Sequence, residues 1–195
     1  QTIAYGENID GSLYKVSDTT PLLDGHKVIS SVSVDSLNAP GGDINVGSVK
    51  IVDESDNDVG KYYNVSTKPG KLTVEPLVLT VKSLSASKVY DGSAEGADSI
   101  NIEVEGFHEG ESGNVTADVS FDSADVGQNK TVTASSFVVD NPNYVVNISS
   151  FEGRGSISAR EISIDGITAV DRAYNGSTAV ELNLSTMTIH NIVPG

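Results

Sequence analysis

Apolar and polar residues alternate along most of this chain. In "VTADVSF", Val115, Ala117, Val119 and Phe121 fall on one face, with polar residues between them. Tyr144, Val146 and Ile148 repeat the pattern. Successive side chains of a strand point to opposite faces, so this period predicts sheets with one face buried and one wet. "KVISSVSV", "GSVKIV", "KLTV", "LVLTVKSL", "INIEVEG", "KTVTASSFVV" and "EISIDGI" are rich in β-branched residues and are expected as strands. Gly, Asn, Asp and Pro punctuate them roughly every ten residues. No window sustains an apolar period of 3.6 over three turns, so any helix is short. The fold class that follows is mainly β.

These segments recur in a fixed order. Tyr5, Tyr90 and Tyr174 stand 85 and 84 residues apart, and Gly25, Gly110 and Gly195 stand 85 apart. "NVG" at 45–47 matches "DVG" at 125–127, Tyr63 in "KYYNVS" matches Tyr144 in "PNYVVN", and Gly70 falls opposite Gly155. Self-similarity at a fixed period marks a chain of like units. The units expected are 1–75, 76–159 and 160–195. The third stops before the later strands of the pattern, so its end reads as a cut and not a natural boundary. The first has only a short lead before Tyr5, where a strand is expected to be missing. Exposed strands in the third unit are edges in search of partners, and disorder or pairing with a neighbouring chain or module is expected there. The joints "EPL" and "SARE" are short and lack Gly/Ser runs, which predicts a semi-stiff rod.

Composition narrows the partners. The 195 residues carry 12 basic and 27 acidic side chains, a formal net charge of -15. Phosphate binding needs a basic surface that releases counterions, so nucleic acid is excluded, and docking on anionic membranes is disfavoured. The chain holds no Cys, which rules out disulfides, thiolate catalysis and Cys-based zinc sites. Each module must then be held by burial and hydrogen bonding. No apolar run is long enough to span a membrane, so no membrane insertion is expected in this segment. "QTIAYGENID" lacks the features of a signal peptide.

The landmarks carry a resemblance. "KVYDG", "DVGQNKTVT" and "NPNYVV", in that order over 88–158, resemble the YDG domain. "TIAYGENI", "VGKYYNV" and "GKLTV" in the first unit are similar to the YGX-type MBG domain. The third unit departs from the family word, with Asn175 in place of Asp, a change a turn accepts because both residues tolerate left-handed geometry. The resemblance implies small β modules of about 80–85 residues, β-grasp-like or sandwich-like, in an elongated array. It implies a bacterial cell-surface or secreted, adhesin-like setting, and brings no catalytic residues with it.

The recurring Tyr-Asp-Gly word has a local explanation. Asp91-Gly92 and Asn175-Gly176 are favoured turn pairs, because Gly takes positive φ freely. A Tyr just before such a turn can lay its ring over the end of a module and keep its hydroxyl at the edge. Tyr5, Tyr90 and Tyr174 are therefore expected to plug cores or brace joints; stacking on a sugar is the functional alternative.

Other residue types that could carry chemistry do not assemble into a known pattern. Asp53, Glu54, Asp56 and Asp58 crowd "VDESDNDVG", but their spacing does not fit an EF-hand loop, and a solvated hairpin tip is expected. His26, His108 and His190 form no metal-binding pair, and no Ser lies in a nucleophile elbow. Glu103 and Glu105 share one strand face, about 7 Å apart, as ordinary wet-face charges do. A lysine crosslinked to Asn or Asp would suit a Cys-free rod, but nothing in the pattern places Lys82, Lys88 or Lys130 inside. The N-x-[ST] sites at Asn64, Asn114, Asn129, Asn147, Asn175 and Asn183 carry no weight in a bacterial protein. No catalytic, cofactor-binding or metal residue is assigned and no cofactor is expected. The function expected is a non-catalytic repeat module acting as stalk or spacer at the cell surface. The alternative is an adhesion module for an extracellular glycan, mucin or matrix protein, with a calcium-dependent loop at 53–58 as the weakest reading. Neighbouring repeat modules of the same chain are the other expected partners.

Overall fold

The computed structural model describes residues 1–9 and 22–193. It is mainly β, as the alternation predicts, with one 3-10 turn at Gly60–Tyr62. The chain divides into two compact units. One comprises Gln1–Thr80 with Glu105–Val115 and Val138–Asn147; the other comprises Val81–Val104, Thr116–Phe137 and Ile148–Gly195.

In the first unit, β1 (Thr2–Ala4), β2 (Lys27–Val34), β3 (Gly41–Val52) and β4 (Gly70–Glu75) form a sheet in the order β1-β4-β3-β2. β2, β3 and β4 run antiparallel to their neighbours, whereas β1 lies parallel to β4, with Ile3 opposite Val74. The alternation works as expected: β4 reads exposed, buried, exposed from Lys71 to Thr73. Ile3, Ile44, Leu72 and Val74 form the core, and Tyr5, Val32 and Val34 pack against it. Strand β5 (Leu77–Val89) follows after a single proline. Its first residues, Leu77–Leu79, pair in parallel with β9 (Tyr144–Val146) in this same unit. Beside β9, buried Asn143 accepts the Ala39 N–H at 2.9 Å and donates to Asn38 Oδ1 at 3.1 Å. Both polar ends of a buried amide are thereby satisfied.

The second sheet also contains β6 (Ser99–Glu105), β7 (Val115–Phe121), β8 (Gly127–Val139) and β10 (Ser150–Ser158). Its path is β6-β5-β10-β8-β7. β10 lies antiparallel to β8 and parallel to β5, with Ile157 opposite Lys88. The core of the second unit is Leu84, Ala86, Val119, Phe121, Val132, Ala134 and Ile157, the last wholly buried. Two glycines let β10 approach. A Cβ on Gly153 would stand 2.1 Å from the Leu84 carbonyl oxygen, and one on Gly155 would stand 2.5 Å from that of Ala86.

The paths β1-β4-β3-β2 and β5-β10-β8-β7 correspond strand for strand. In each, the first strand pairs in parallel with the last. In each, the residue that ends the first strand's ladder is a landmark tyrosine. Tyr5 N–H donates to the Glu75 carbonyl and Tyr90 N–H to that of Ser158, both at 2.9 Å.

Residues 160–193 hold two small ladders: β11 (Ser163–Asp165) with β14 (Thr188–His190), and β12 (Thr168–Ala169) with β13 (Leu182–Asn183), both antiparallel. Every residue from 158 to 192 is exposed, so this stretch has no core of its own. Gly195, the last landmark of the repeat, lies outside the described residues. Among the described residues, no helix is long and apolar enough to cross a membrane.

Candidate functional site

The Tyr-Asx-Gly turns come first, because they recur. Lys88 sits on β5 in phase with Leu84 and Ala86, and its side chain is 3% exposed. A buried ammonium needs partners for its charge and its three donors. The turn supplies them: Asp91 Oδ2 at 2.8 Å, the Glu95 carbonyl at 2.8 Å and the Ser93 carbonyl at 3.3 Å. The turn is closed from within as well, since Ser93 N–H donates to Asp91 Oδ1 and Glu95 N–H to Ser93 Oγ, both at 3.0 Å. Gly92 takes φ +84. The Lys88 bond, the Ser93 N–H and the ammonium charge hold the Asp91 carboxyl below its usual range. Tyr90 is half-buried against the core, and Arg160 Nε caps its carbonyl at 2.8 Å.

The same wiring appears at 172–179. Arg172 donates to Asn175 Oδ1 and to the Ser177 carbonyl. Ser177 N–H returns to Asn175 Oδ1 and Ala179 N–H to Ser177 Oγ, each at 3.1 Å, and Gly176 takes φ +73. These four bonds have counterparts in the first turn, which adds the Lys88 bond to the Glu95 carbonyl, but nothing covers them: Tyr174 is 97% exposed. Of the three landmark tyrosines, Tyr5 and Tyr90 thus pack on cores and Tyr174 does not.

The densest polar-aromatic cluster lies in the first unit. Tyr5 donates to Glu111 Oε1 at 2.9 Å, and Tyr144 donates to Glu111 Oε2 at 2.6 Å. The Tyr144 oxygen in turn accepts the His108 N–H at 3.1 Å. The His108 ring stands 5.7 Å from that of Tyr5, and Phe107 meets Tyr144 edge-on at 4.6 Å. Two hydroxyl donors, Tyr144 before Tyr5, hold the Glu111 carboxyl below its ordinary range. The bond to Glu111 raises the Tyr5 hydroxyl, whereas burial first and Glu111 second raise Tyr144. The arrangement is a clamp: the two hydroxyls occupy both oxygens of the Glu111 carboxylate. Glu111 was not singled out from the sequence, and Lys88 only as a crosslink candidate with no expected place inside. For Lys88 the signal was available in the period of two.

The acidic tip spends its carboxylates internally. Asp53 accepts from the N–H groups of Ser55 and Asn57, each at 2.9 Å, and from the Asn57 amide. The Asn57 side chain, then its backbone N–H, keep the Asp53 carboxyl low. Asp56 pairs with Lys27 at 2.8 Å, and Asp58 accepts the Gly60 N–H at 2.8 Å. Among the described residues no three His, Cys, Asp or Glu converge on a metal position. The histidines lie apart: His26 meets the Tyr63 hydroxyl at 2.7 Å, His108 belongs to the Glu111 cluster, and His190 faces Asp165 at 3.1 Å. Glu103 accepts from Ser83 Oγ at 2.7 Å. An open groove of about 730 Å³ in the second unit is lined by Tyr90, Val126, Arg160, Ile162 and Ile192.

Lys88 and Lys130 are both inside, contrary to the expectation from pattern: the Lys130 side chain is 10% exposed and pairs with Asp122 at 2.9 Å. Neither geometry favours an amide crosslink. Asp91 and Asp122 are both held as anions by their lysines, and amide formation needs the neutral acid as electrophile. A Lys88–Asp91 bond would also close only one turn of chain.

The stretch from β5 to β9, with its Lys-Val-Tyr-Asp-Gly turn, decides the family comparison. Residues 75–150 match the YDG domain. The YDG match therefore spans the buried Lys88 and its turn, the Glu111 loop and Tyr144. No curated protein matches the chain. No solved structure matches it either.

Proposed function

We propose that the chain is part of a tandem array of small β modules that serves as a non-catalytic stalk or spacer in a bacterial cell-surface or secreted protein. The modules are an MBG-like one over 1–75, the YDG module over 76–159 and a further YDG-like one beginning at 160. One observation carries this reading. The paths β1-β4-β3-β2 and β5-β10-β8-β7 share strand order, a parallel closing pair and a tyrosine N–H at the same rung. A fold reused in series needs the same fasteners each time, and the polar groups described above are spent on fastening. A spacer asks only that each module stay folded.

The test is binding of the chain to glycans, mucin and matrix proteins, in calcium and in chelator, beside single-molecule pulling. A spacer is silent on the array and unfolds under force in discrete steps. Specific binding to one ligand class would replace the spacer with the adhesion reading. Tyr174 favours that second reading, because a fully exposed aromatic face can stack on a sugar. In that case Tyr174→Ala abolishes the array signal.

A further inference from the structure

We propose that residues 107–111 and 143–144 of the YDG module form a socket for the module before it, and that the first module's stability is set in part by that socket. The proposal deepens the repeat reading above and rests on it. By sequence, Glu105–Val115 and Val138–Asn147 belong to the second repeat; in the fold they join Gln1–Thr80 in one compact unit. Tyr5, Gly6, Asn38 and Ala39 come from the first repeat. The groups that receive them come from the second. His108 and Tyr144 each stand 5.7 Å from the Tyr5 ring, and Glu111 accepts its hydroxyl at 2.9 Å. Gly6 lets the turn come close, since a Cβ there would stand 2.4 Å from His108 Nε2. Asn143 serves the 38–39 loop, accepting the Ala39 N–H and donating to Asn38 Oδ1. Asn143 is 7% exposed, so losing the loop would leave a buried amide unsatisfied.

The same placement recurs one repeat on, within the other compact unit. Phe107 and His108 correspond to Ile192 and Val193, 85 residues later. Ile192 and Val193 line the groove beside Tyr90, and a Cβ on Gly92 would stand 3.1 Å from Val193 Cγ1. An imidazole on a Tyr-Gly turn thus becomes an isopropyl group on a Tyr-Asp-Gly turn. The position is kept while the chemistry changes. In repeat arrays, interfaces between neighbours carry part of each repeat's stability. Here the support runs one way along the chain: the loop after β6 and the approach to β9 cover the tyrosine turn of the preceding module.

The test is amide hydrogen exchange on the full chain and its variants. The Thr73 and Val74 N–H groups, bonded to the Gln1 and Pro40 carbonyls, report on the first module; the Phe121 N–H, bonded to the Ala94 carbonyl, reports on the second. Glu111→Ala and Asn143→Ala both lie in the second repeat by sequence. Each is expected to speed exchange at Thr73 and Val74 at least about tenfold and to leave Phe121 within about twofold. Tyr5→Phe keeps the ring and removes only the hydroxyl, so added to Glu111→Ala it should change little at Val74. Unchanged exchange at Thr73 and Val74, equal speeding at Phe121, or full additivity of Tyr5→Phe and Glu111→Ala overturns the proposal. Where Glu111→Ala strips Thr73 and Val74 of all protection, Phe121 still decides. The spacer reading fails separately: specific binding on the glycan array would displace it and leave these exchange rates as they are.

Discussion

Removing Asp91 should damage the second unit more than removing the buried lysine it holds. In Lys88→Met an apolar chain of similar length fills the space. The Ser93 and Glu95 carbonyls lose their donor, at about 1 kcal/mol net each. Against this, the cost of keeping an ammonium out of water at a 3%-exposed position is returned. Asp91 is 42% exposed and rehydrates readily. The sum is a loss of about 1–2 kcal/mol. In Asp91→Ala the ammonium stays buried with only two carbonyl partners, the situation in which an ion pair is most costly to break. The assay is urea unfolding followed by exchange at Val132 and Ile157, deep in the second unit. The pH dependence provides a second readout. The Asp91 carboxyl is lowered in the fold, chiefly by its bond to Lys88. Its contribution is therefore present above the unfolded carboxylate value and is lost as pH falls through the folded one. Lys88→Met should flatten that acid slope. The reasoning fails if Asp91→Ala is as mild as Lys88→Met, or if the slope survives without the lysine.

Core truncations should act unit by unit. Ile157→Ala removes a wholly buried side chain, at an expected cost of about 3–4 kcal/mol to the second unit, and Val74→Ala about 2 kcal/mol to the first; exchange-resolved unfolding checks both. Glu111→Gln should remove an acid-side loss of stability in the first unit. The lowered Glu111 carboxyl contributes above the unfolded value and loses that contribution as pH falls through the folded one. The raised Tyr5 and Tyr144 hydroxyls act at the other end, contributing below about pH 10 and failing as pH rises through their folded values. Calcium at millimolar levels should leave the melting curve unchanged, with or without Asp56→Ala, because the Asp53 oxygens are already filled by Ser55 and Asn57 donors.

Much of the fold was legible in the sequence. The alternation located β2 and β7 to the residue and put Val119 and Phe121 inside. It cut β5 short, at Leu84, although the strand continues to Val89. The buried phase shifts there from Leu79 and Val81 to Leu84, Ala86 and Lys88, and a broken period looks like the end of a strand. The same break hid Lys88, which a continued period of two from Leu84 places on the inner face. Period also says which face is buried but not which strand lies alongside. Thus the parallel pairs β1–β4 and β5–β10 were not foreseen, nor was the grouping of 105–115 and 138–147 with the first eighty residues. Glu111 was hidden for the same reason: its partners Tyr5 and Tyr144 are far away in sequence, and one carboxylate among 27 acidic residues carries no mark.

The Tyr-Asx-Gly word now separates into two jobs. Its polar half is local: a cation three residues before the Asx, an Asx oxygen on the next Ser N–H, and a glycine at positive φ. It closes at 88–95, where it is covered, and, with one carbonyl bond fewer, at 172–179, where it is not. Turn formation therefore does not depend on a covering core. Its aromatic half is not local. The Tyr90 ring packs against the core that includes Ile157, and the Tyr5 ring against the core that includes Val74 as well as beside His108 and Tyr144. At Tyr174 the turn is formed and the ring stands in solvent. The burial of the tyrosine thus depends on the core beside it and not on the turn that follows it.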